Sequence, residues 1–325
     1  MTSLTSGGNT YTAKRSNASI ATRRVASPAR AKEVGHARLR ALLLITLIII
    51  LSPASNGASL EPATAKAWKE YIESADIRLK QSLSPGQCFL WVAKEPSRLA
   101  KVQNGEIVVS PVSPQEPKRV PSGLIHDWVG ATFIAHVTLG DVLQTVRNYS
   151  RYKDWYKPTV INSSVIDIGD AKDRFSMLLL NKSLFLRTAL DADYESSFVR
   201  LDNRMAYSVS WTTRIQEIQA YGTSTQRILP ENHGDGFLWK LFSITRYVER
   251  DGGVYLELEA IGLSRDIPAS LRWLVEPIVR RVSRTSLEIS LRQTANAVRL
   301  RPELAHGKMR NEGSMAATDR EDSFQ

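Results

Sequence analysis

Between Val160 and Leu263 the sequence reads as a nearly continuous succession of strands, and one long amphipathic helix follows directly. No other feature restricts the possible folds as much. The strand segments are Val160 to Ile168, Arg174 to Leu180, Leu184 to Tyr194, Met205 to Ile218, Ser224 to Arg227, Leu238 to Glu249 and Val254 to Leu263. Turn-forming residues separate them, including Gly169-Asp170, Asn181-Lys182, Asp202-Asn203 and Asp251-Gly252-Gly253. Connections this short oblige consecutive strands to pair antiparallel. In the helix, Leu271, Val275, Ile278, Val282, Thr285 and Ile289 recur at steps of three and four, flanked by Arg272, Arg280, Arg281, Arg284, Glu288 and Arg292. Asp266 is placed to cap it, Pro268 falls in its first turn, and Pro277 is expected to kink it. Residues 300–325 are polar, lack an apolar period and read as a disordered tail.

A further strand, Leu124 to Val137, precedes this run and is followed by two short helices. The first has Val142, Leu143 and Val146 on one face, with Thr138 or Asp141 as its cap; the second runs from Tyr149 to Tyr156 and stops at Lys157-Pro158. A sheet of about seven strands, apolar on one face, must bury that face, and only the final helix is long enough to cover it. In the last strand Val254, Leu256, Leu258 and Ala260 share the face assigned to the helix. Tyr255, Glu257 and Glu259 share the other, whose carboxylates are expected to face water. The fold class is therefore α+β, a curved antiparallel sheet wrapped around a C-terminal helix. A cavity opens between the two wherever the facing side chains fail to fill the space.

This domain spans residues 123–299. Residues 59–122 read as an N-terminal helix, a hairpin and a Pro-rich linker. In the helix, Ala65 to Leu83, the apolar positions Trp68, Ile72, Ala75 and Leu79 share one face, and Ser84-Pro85-Gly86 ends it. Cys88 to Ala93 reads as a strand with Cys88 a buried small hydrophobe, and Asn104-Gly105 as a hairpin turn. Residues 1–58 read as a basic n-region plus export signal or signal-anchor. The eleven-residue run Ala41 to Leu51 is shorter than the roughly 20 apolar residues of a spanning helix, and Ala54 or Ala58 offers a cut. If uncleaved, that run is the expected membrane contact, holding the chain at the inner membrane on the periplasmic side. The net charge of +10 fits this division, since residues 1–40 supply +7 of it and residues 59–325 only +3. So balanced a body excludes nucleic-acid binding, which needs a concentrated basic face.

Val142 to Tyr156, ending in NYSRYKDWYKP, and GGVYLELEAIGLSRDIPASLRWLVEPIVRRVSRTSLEISLRQTANAV from Gly252 to Val298 together resemble the START-like, or SRPBCC, helix-grip superfamily. That superfamily includes START lipid-transfer domains, polyketide cyclases and aromatases, and coenzyme-Q-binding START-like proteins. The C-terminal stretch is also similar to exported bacterial members without an assigned activity. The resemblance covers residues 123–299 and implies the fold and a ligand cavity. It brings no universal catalytic motif with it.

Motifs of chemistry are missing from the sequence. There is no G-x-S-x-G, HExxH or P-loop, and no cofactor is expected. His126 and His136 on one unbroken strand would stand roughly 33 Å apart at ~3.3 Å per residue, too far to share a metal. Asp191 with Asp193, and Glu257 with Glu259, read as solvated outer faces rather than acid/base pairs, Arg187 adding to a charge ladder beside Asp191. Aromatic and apolar residues converge instead. Tyr149, Tyr152, Trp155 and Tyr156 crowd the expected cavity mouth; Tyr207, Val209 and Trp211 share a strand face, as do Trp239, Leu241 and Tyr247 nearby. The expected ligand-binding set is Tyr149, Trp155, Met177, Leu179, Tyr207, Val209, Trp211, Trp239, Leu241, Ser243, Leu256, Leu258, Val275, Ile278 and Val282. The Ser243 and Thr245 hydroxyls would orient the ligand, and the two short helices would form a lid. A filled core is the competing reading of the same residues. The function expected is an exported binding or transport protein for a hydrophobic small molecule, a lipid, quinone or polyketide. A cyclase or aromatase-type enzyme and an envelope protein-interaction module are the alternatives.

Overall fold

A computed structural model describes residues 58–183 and 186–321; the expected export segment, Ala41 to Leu51 included, lies outside them. In chain order the elements are β1 (Ala58–Ser59), α1 (Pro62–Ser82), α2 (Pro96–Gln103), β2 (Val108–Pro111), β3 (Lys118–Val120), β4 (Gly123–Ala135), α3 (Leu139–Val146), α4 (Tyr152–Trp155), β5 (Val160–Ile168), β6 (Asp173–Ser183), β7 (Leu186–Arg200), β8 (Met205–Gln219), β9 (Arg227–Ile228), β10 (His233–Gly234), β11 (Lys240–Arg250), β12 (Gly253–Arg265) and α5 (Arg272–Glu321). Short 3₁₀ turns occupy Val92–Lys94, Tyr149–Arg151 and Ala269–Leu271. Among the described residues no helix is long and apolar enough to cross a membrane.

Ten strands form one antiparallel sheet in the order β2-β4-β12-β11-β8-β7-β6-β5, with β3 added beside β4 and β9 beside β8. The expected run of strands is extended by β2, which straddles the segments read as hairpin and Pro-rich linker, and by β3, which lies in that linker. Its prolines cannot donate to a ladder, so these strands are short and pair only along β4 at the sheet's end. The order of a long antiparallel sheet, two short helices after its first long strand and a final long helix is the helix-grip arrangement. Helix α3 starts on a capping box: the Thr138 hydroxyl accepts from the Asp141 N–H at 3.2 Å and the Asp141 carboxylate accepts from the Thr138 N–H at 3.0 Å.

Helix α5 lies against the inner face of the sheet. Leu287, Leu291, Ala295 and Val298 bury themselves among Trp128, Ile134, Ala206, Tyr247, Val254 and Leu256. Gly130 permits the close approach, because a Cβ there would stand 2.8 Å from Leu291 Cδ1 and 3.1 Å from the Val108 carbonyl. Pro277 lies inside the helix, and α5 continues past Arg299 to Glu321 over the stretch expected as a disordered tail. That stretch is rich in Ala, Glu, Leu, Met and Arg, which favour helix even where no apolar stripe exists to dock it.

The outer face is covered as well. Trp68, Tyr71, Ile72, Ala75 and Leu79 of α1 pack on Ile125, Phe242, Ile244, Ile261 and Leu263. Leu90, Val92 and Val102 pack on Ala131, Val248 and Tyr255. Two expectations for this segment are corrected. Cys88 to Ala93 is an irregular turn that leaves Cys88 exposed. Asn104-Gly105 is the C-terminal cap of α2, with Gly105 at φ +87°, rather than a hairpin turn. Pro96 starts that helix at its first turn, where its missing N–H costs nothing, and Val102 buries into the sheet.

Glu257 and Glu259 do point outward, but the expectation that they face water is overturned by the same layer. Glu257 accepts from the Val92 N–H at 2.9 Å and from Arg246 at 3.3 Å. Glu259 accepts from Arg78 of α1 at 2.9 Å and from Arg246 at 3.4 Å. Arg78 also reaches Asp127 at 3.1 Å, beside the donating Tyr71 hydroxyl at 2.8 Å. Burial first, and the Glu259 charge second, push the Asp127 carboxyl up to about 7; burial likewise raises Glu257. Asp191 and Asp193 form a surface charge ladder whose partner is Arg214, at 3.0 and 2.7 Å.

Candidate functional site

The register of the long strands defines the inner face. Trp128, Ala260, Ser243, Ser210, Ser196 and Asp173 are successive Cα partners across β4, β12, β11, β8, β7 and β6. The neighbouring row carries Gly130, Leu258, Thr245, Ser208 and Phe198. Helix α5 covers only part of this surface. Its sheet-facing stripe, extended toward the N-terminus at 100° per residue, reaches Arg284, Arg280 and Trp273, and all three are exposed. Packing of helix on sheet therefore ends near Leu287. Beyond that point Leu241, Ser243, Thr245, Leu258, Ala260 and Ser210 remain only half-buried, although they sit on the central strands of the sheet. Met177 and Leu179 on β6 are likewise half-buried. The result is an accessible floor of aliphatic side chains interrupted by hydroxyls.

The hydroxyls are paired along the floor rather than across it. Ser196 Oγ and Ser210 Oγ stand 2.6 Å apart, Ser208 Oγ and the Tyr247 hydroxyl 3.1 Å, and Thr212 Oγ1 accepts from the Leu241 N–H at 3.0 Å. At the β6 end of the row Asp173 is 1% exposed and is the only carboxylate of that row. It accepts two hydrogen bonds from Arg147, at 2.9 and 2.8 Å, and one from the Tyr149 hydroxyl at 2.8 Å. Its charge is neutralised inside the protein and is not offered to the floor. Tyr149 stacks on Phe175 at 4.0 Å, Phe175 stacks on Tyr194 at 5.0 Å, and the buried Tyr194 hydroxyl has no partner. Burial raises the Tyr149, Tyr194 and Tyr247 phenols, Tyr247 to about 12, so all three are neutral hydrogen-bonding groups at physiological pH.

Helices α3 and α4 pack against the buried, C-terminal part of α5 and reach β5. The Tyr156 hydroxyl meets Thr294 Oγ1 of α5 at 2.7 Å, and Gln293 donates to the Lys157 carbonyl at 2.6 Å. Lys153 N–H donates to Ser163 Oγ of β5 at 2.9 Å. The two helices are thereby tied to α5 on one flank and to the sheet on the other. Two further depressions lie elsewhere: one of about 460 Å³ between Gly105–Ile107 and the Arg292–Arg299 turn of α5, one of about 600 Å³ beside α3 and Arg200. Neither includes a residue of the floor. Among the described residues no group of three His, Cys, Asp or Glu side chains is arranged to hold a metal.

The structure brings together part of the expected set. Met177, Leu179, Leu241, Ser243 and Leu258 lie on the floor, and Leu256 lies under α5 in its filled part. Tyr149 is buried in the aromatic stack, and Trp155 is half-buried with the Arg151 guanidinium 5.9 Å from its ring centre. Val275 is half-buried, whereas Ile278 and Val282 are 56% and 58% exposed. Tyr207, Val209, Trp211 and Trp239 are corrected: they belong to the outer face, in the cluster beneath α1. The register pairs Tyr207 with Arg246 and Ala206 with Tyr247, so Tyr207 and Tyr247 face opposite ways. In β8 the apolar alternate residues point outward because α1 covers that side, and Ser208, Ser210 and Thr212 point inward. That hydroxyl alternation was the available signal for Ser210, absent from the expected set; Ser196 on β7, Asp173, Arg147 and Tyr194 carry no local signal at all.

No protein-family model and no curated protein matches the chain. Solved structures do. The STAR-related lipid transfer protein (fragment 25-204) from Xanthomonas axonopodis aligns at 13% identity and a TM-score of 0.39, over 59% of this chain and 98% of that one. Human STARD10 aligns at 7% identity and a TM-score of 0.40, over 71% and 89%. The Zhui aromatase/cyclase from a Streptomyces species aligns at 12% identity and a TM-score of 0.34, over 55% and 95%.

Proposed function

We propose that this chain binds a hydrophobic small molecule on the inner face of its sheet, between the floor and the N-terminal turns of α5, with α3 and α4 as the lid. The observation that carries this reading is the incomplete cover: central-strand residues such as Leu241, Leu258 and Ala260 keep solvent access on a face that a filled fold would seal. Burying apolar ligand surface there supplies the binding energy, at roughly 25 cal/mol per Å². The row Ser243, Ser210 and Ser196 offers hydroxyls to a carbonyl or hydroxyl of the ligand, and the only carboxylate of that row is already satisfied. The bound molecule is thus apolar with neutral oxygen functions, a description that lipids, quinones and polyketides share.

Displacement of an apolar fluorescent probe, together with thermal shifts across a panel of such molecules, tests this. Saturable displacement and stabilisation by neutral oxygenated apolar ligands, and not by fatty-acid or phosphate anions, is the expected result. No displacement by any member of the panel would remove the reading. A cyclase or aromatase-type activity is the second reading, favoured by the Ser210–Ser196 hydroxyl pair lying beside the Tyr149–Asp173 hydrogen bond, since Ser196 and Asp173 are Cα partners. Turnover of a poly-β-keto substrate that is lost in Tyr149→Phe would support it. The basic segment and apolar run before residue 58 make the chain an exported protein in this account; a mature N-terminus at residue 55 or 59, found by mass spectrometry of the periplasmic fraction, checks that.

A further inference from the structure

The N-terminal half of α5 is the most exposed apolar element among the described residues. Trp273 is 77% exposed, Leu274 40%, Ile278 56%, Val282 58% and Ile289 42%. Leu274, Ile278, Val282 and Ile289 recur at steps of four and seven and so line one side of the helix. Such a side, unburied in a folded protein, marks a surface built for a partner. Its charges say which partner. Arg281 projects from the adjoining side, and Arg284 and Arg280 from the side that turns toward the open floor; all three are exposed and make no ion pair among the described residues. Every acid of residues 266–292 is already held: Asp266 by Arg272 at 2.9 Å, Glu276 by Arg119 at 2.8 Å and Glu288 by Arg292 at 2.8 Å. The surface therefore offers three unpaired guanidiniums, no unpaired carboxylate, one tryptophan and an aliphatic row. Phe237, 45% exposed just before β11, lies at the same end of the sheet as the start of α5, which follows β12.

We propose that this half-helix docks on an anionic lipid bilayer, the aliphatic row entering the interface while Trp273 and the arginines, which share the flank turned toward the open floor, meet the headgroups. A basic helix with a large apolar side and low overall hydropathy lies in the interface plane in this way, and tryptophan favours that depth. A nucleic acid would use the arginines but leave the aliphatic row in water. The surface stands on exposure and charge alone and holds whether or not the inner face carries a ligand. It does place the open end of that floor against the membrane.

The full chain tests this when a probe reports on α5 itself, because attachment through Ala41 to Leu51 does not insert residue 282. An environment-sensitive fluorophore is placed on Val282→Cys in a Cys88→Ser background, with Ile166→Cys on β5 as the control site. With vesicles containing phosphatidylglycerol the probe at residue 282 is expected to shift to the blue and to be quenched by spin-labelled lipid, whereas the control stays in water. Pure phosphatidylcholine vesicles should leave both unchanged. Arg280→Gln/Arg281→Gln/Arg284→Gln should weaken the response about 100-fold, from about fivefold per basic residue near an anionic surface. The unchanged melting temperature of that variant would show that it remains folded. A probe at residue 282 that stays in water on anionic vesicles overturns the proposal. So does a blue shift without vesicles, which would identify a second copy of the chain as the occupant, or a triple variant that responds like the parent.

Discussion

Replacement of Arg246 by Met tests whether residues 60–107 are a true layer of the fold. Arg246 is 5% exposed and lies between Glu257, 0% exposed, and Glu259, 5% exposed. Removing its charge leaves Glu257 with the Val92 N–H and Glu259 with Arg78, in a cluster that also contains Asp127. Breaking a buried ion pair by deleting one partner costs about 3–5 kcal/mol, since the remaining charge keeps its desolvation penalty. Arg78 still compensates Glu259, so the lower end, about 3 kcal/mol, is expected from urea denaturation at pH 8. The uncompensated carboxylates then take up protons more readily, so the loss should shrink toward pH 5. Arg246→Met/Glu257→Gln should recover part of it, because the neutral pair no longer strands a charge. A loss below about 1 kcal/mol at pH 8, independent of pH and unaffected by the second substitution, would refute the reasoning. It would mean that water reaches the cluster and that α1 does not seal it.

Other expected outcomes follow from single contacts. Asp127 holds its proton up to about pH 7 in the fold, against an ordinary value of 3.8. Its contribution to stability therefore falls as pH rises between those values and is constant above, and Asp127→Asn should flatten that part of a melting-temperature profile; an unchanged slope would contradict the burial. Asp173→Asn weakens three charge-assisted hydrogen bonds to Arg147 and Tyr149, costing about 3 kcal/mol and raising hydrogen exchange over residues 139–156, where the lid is tied down. Gly130→Ala forces a methyl group to within 2.8 Å of Leu291 Cδ1, and overpacking of about 1–3 kcal/mol is expected in urea titrations.

The main architecture was legible because turn residues and the steps of the final helix are local signals. Strands β5 to β8, β11 and β12 could be located from turn residues such as Gly169-Asp170 and Asp251-Gly252-Gly253, and the α3 cap from Thr138 and Asp141, whereas the two-residue β9 was expected a few residues early and β10 was not expected. What sequence periodicity does not encode is which side of a sheet faces which layer. Alternation grouped Tyr207, Val209 and Trp211 correctly on one face, and grouped Glu257 with Glu259, but α1 covers that face from more than a hundred residues away. A sheet covered on both sides presents apolar residues on both, so aromatic content pointed to the wrong side of β8. The floor itself is marked by Ser208, Ser210 and Thr212, residue types that are easily taken for solvent-facing positions. The tether at Asp173 depends on Arg147 and Tyr149 meeting a residue of β6, which no spacing rule announces.

In the proposed function a ligand lies over Ala260 and Ser243, and native mass spectrometry of the purified protein examines that most directly. Ala260 is half-buried on the inner face between Trp128 and Ser243, so Ala260→Trp fills the floor where α5 leaves it open. The parent is expected to carry, or to take up, a neutral apolar molecule in one-to-one ratio, and Ala260→Trp to remain folded without it. Equal occupancy in both proteins would place the ligand elsewhere and contradict the account.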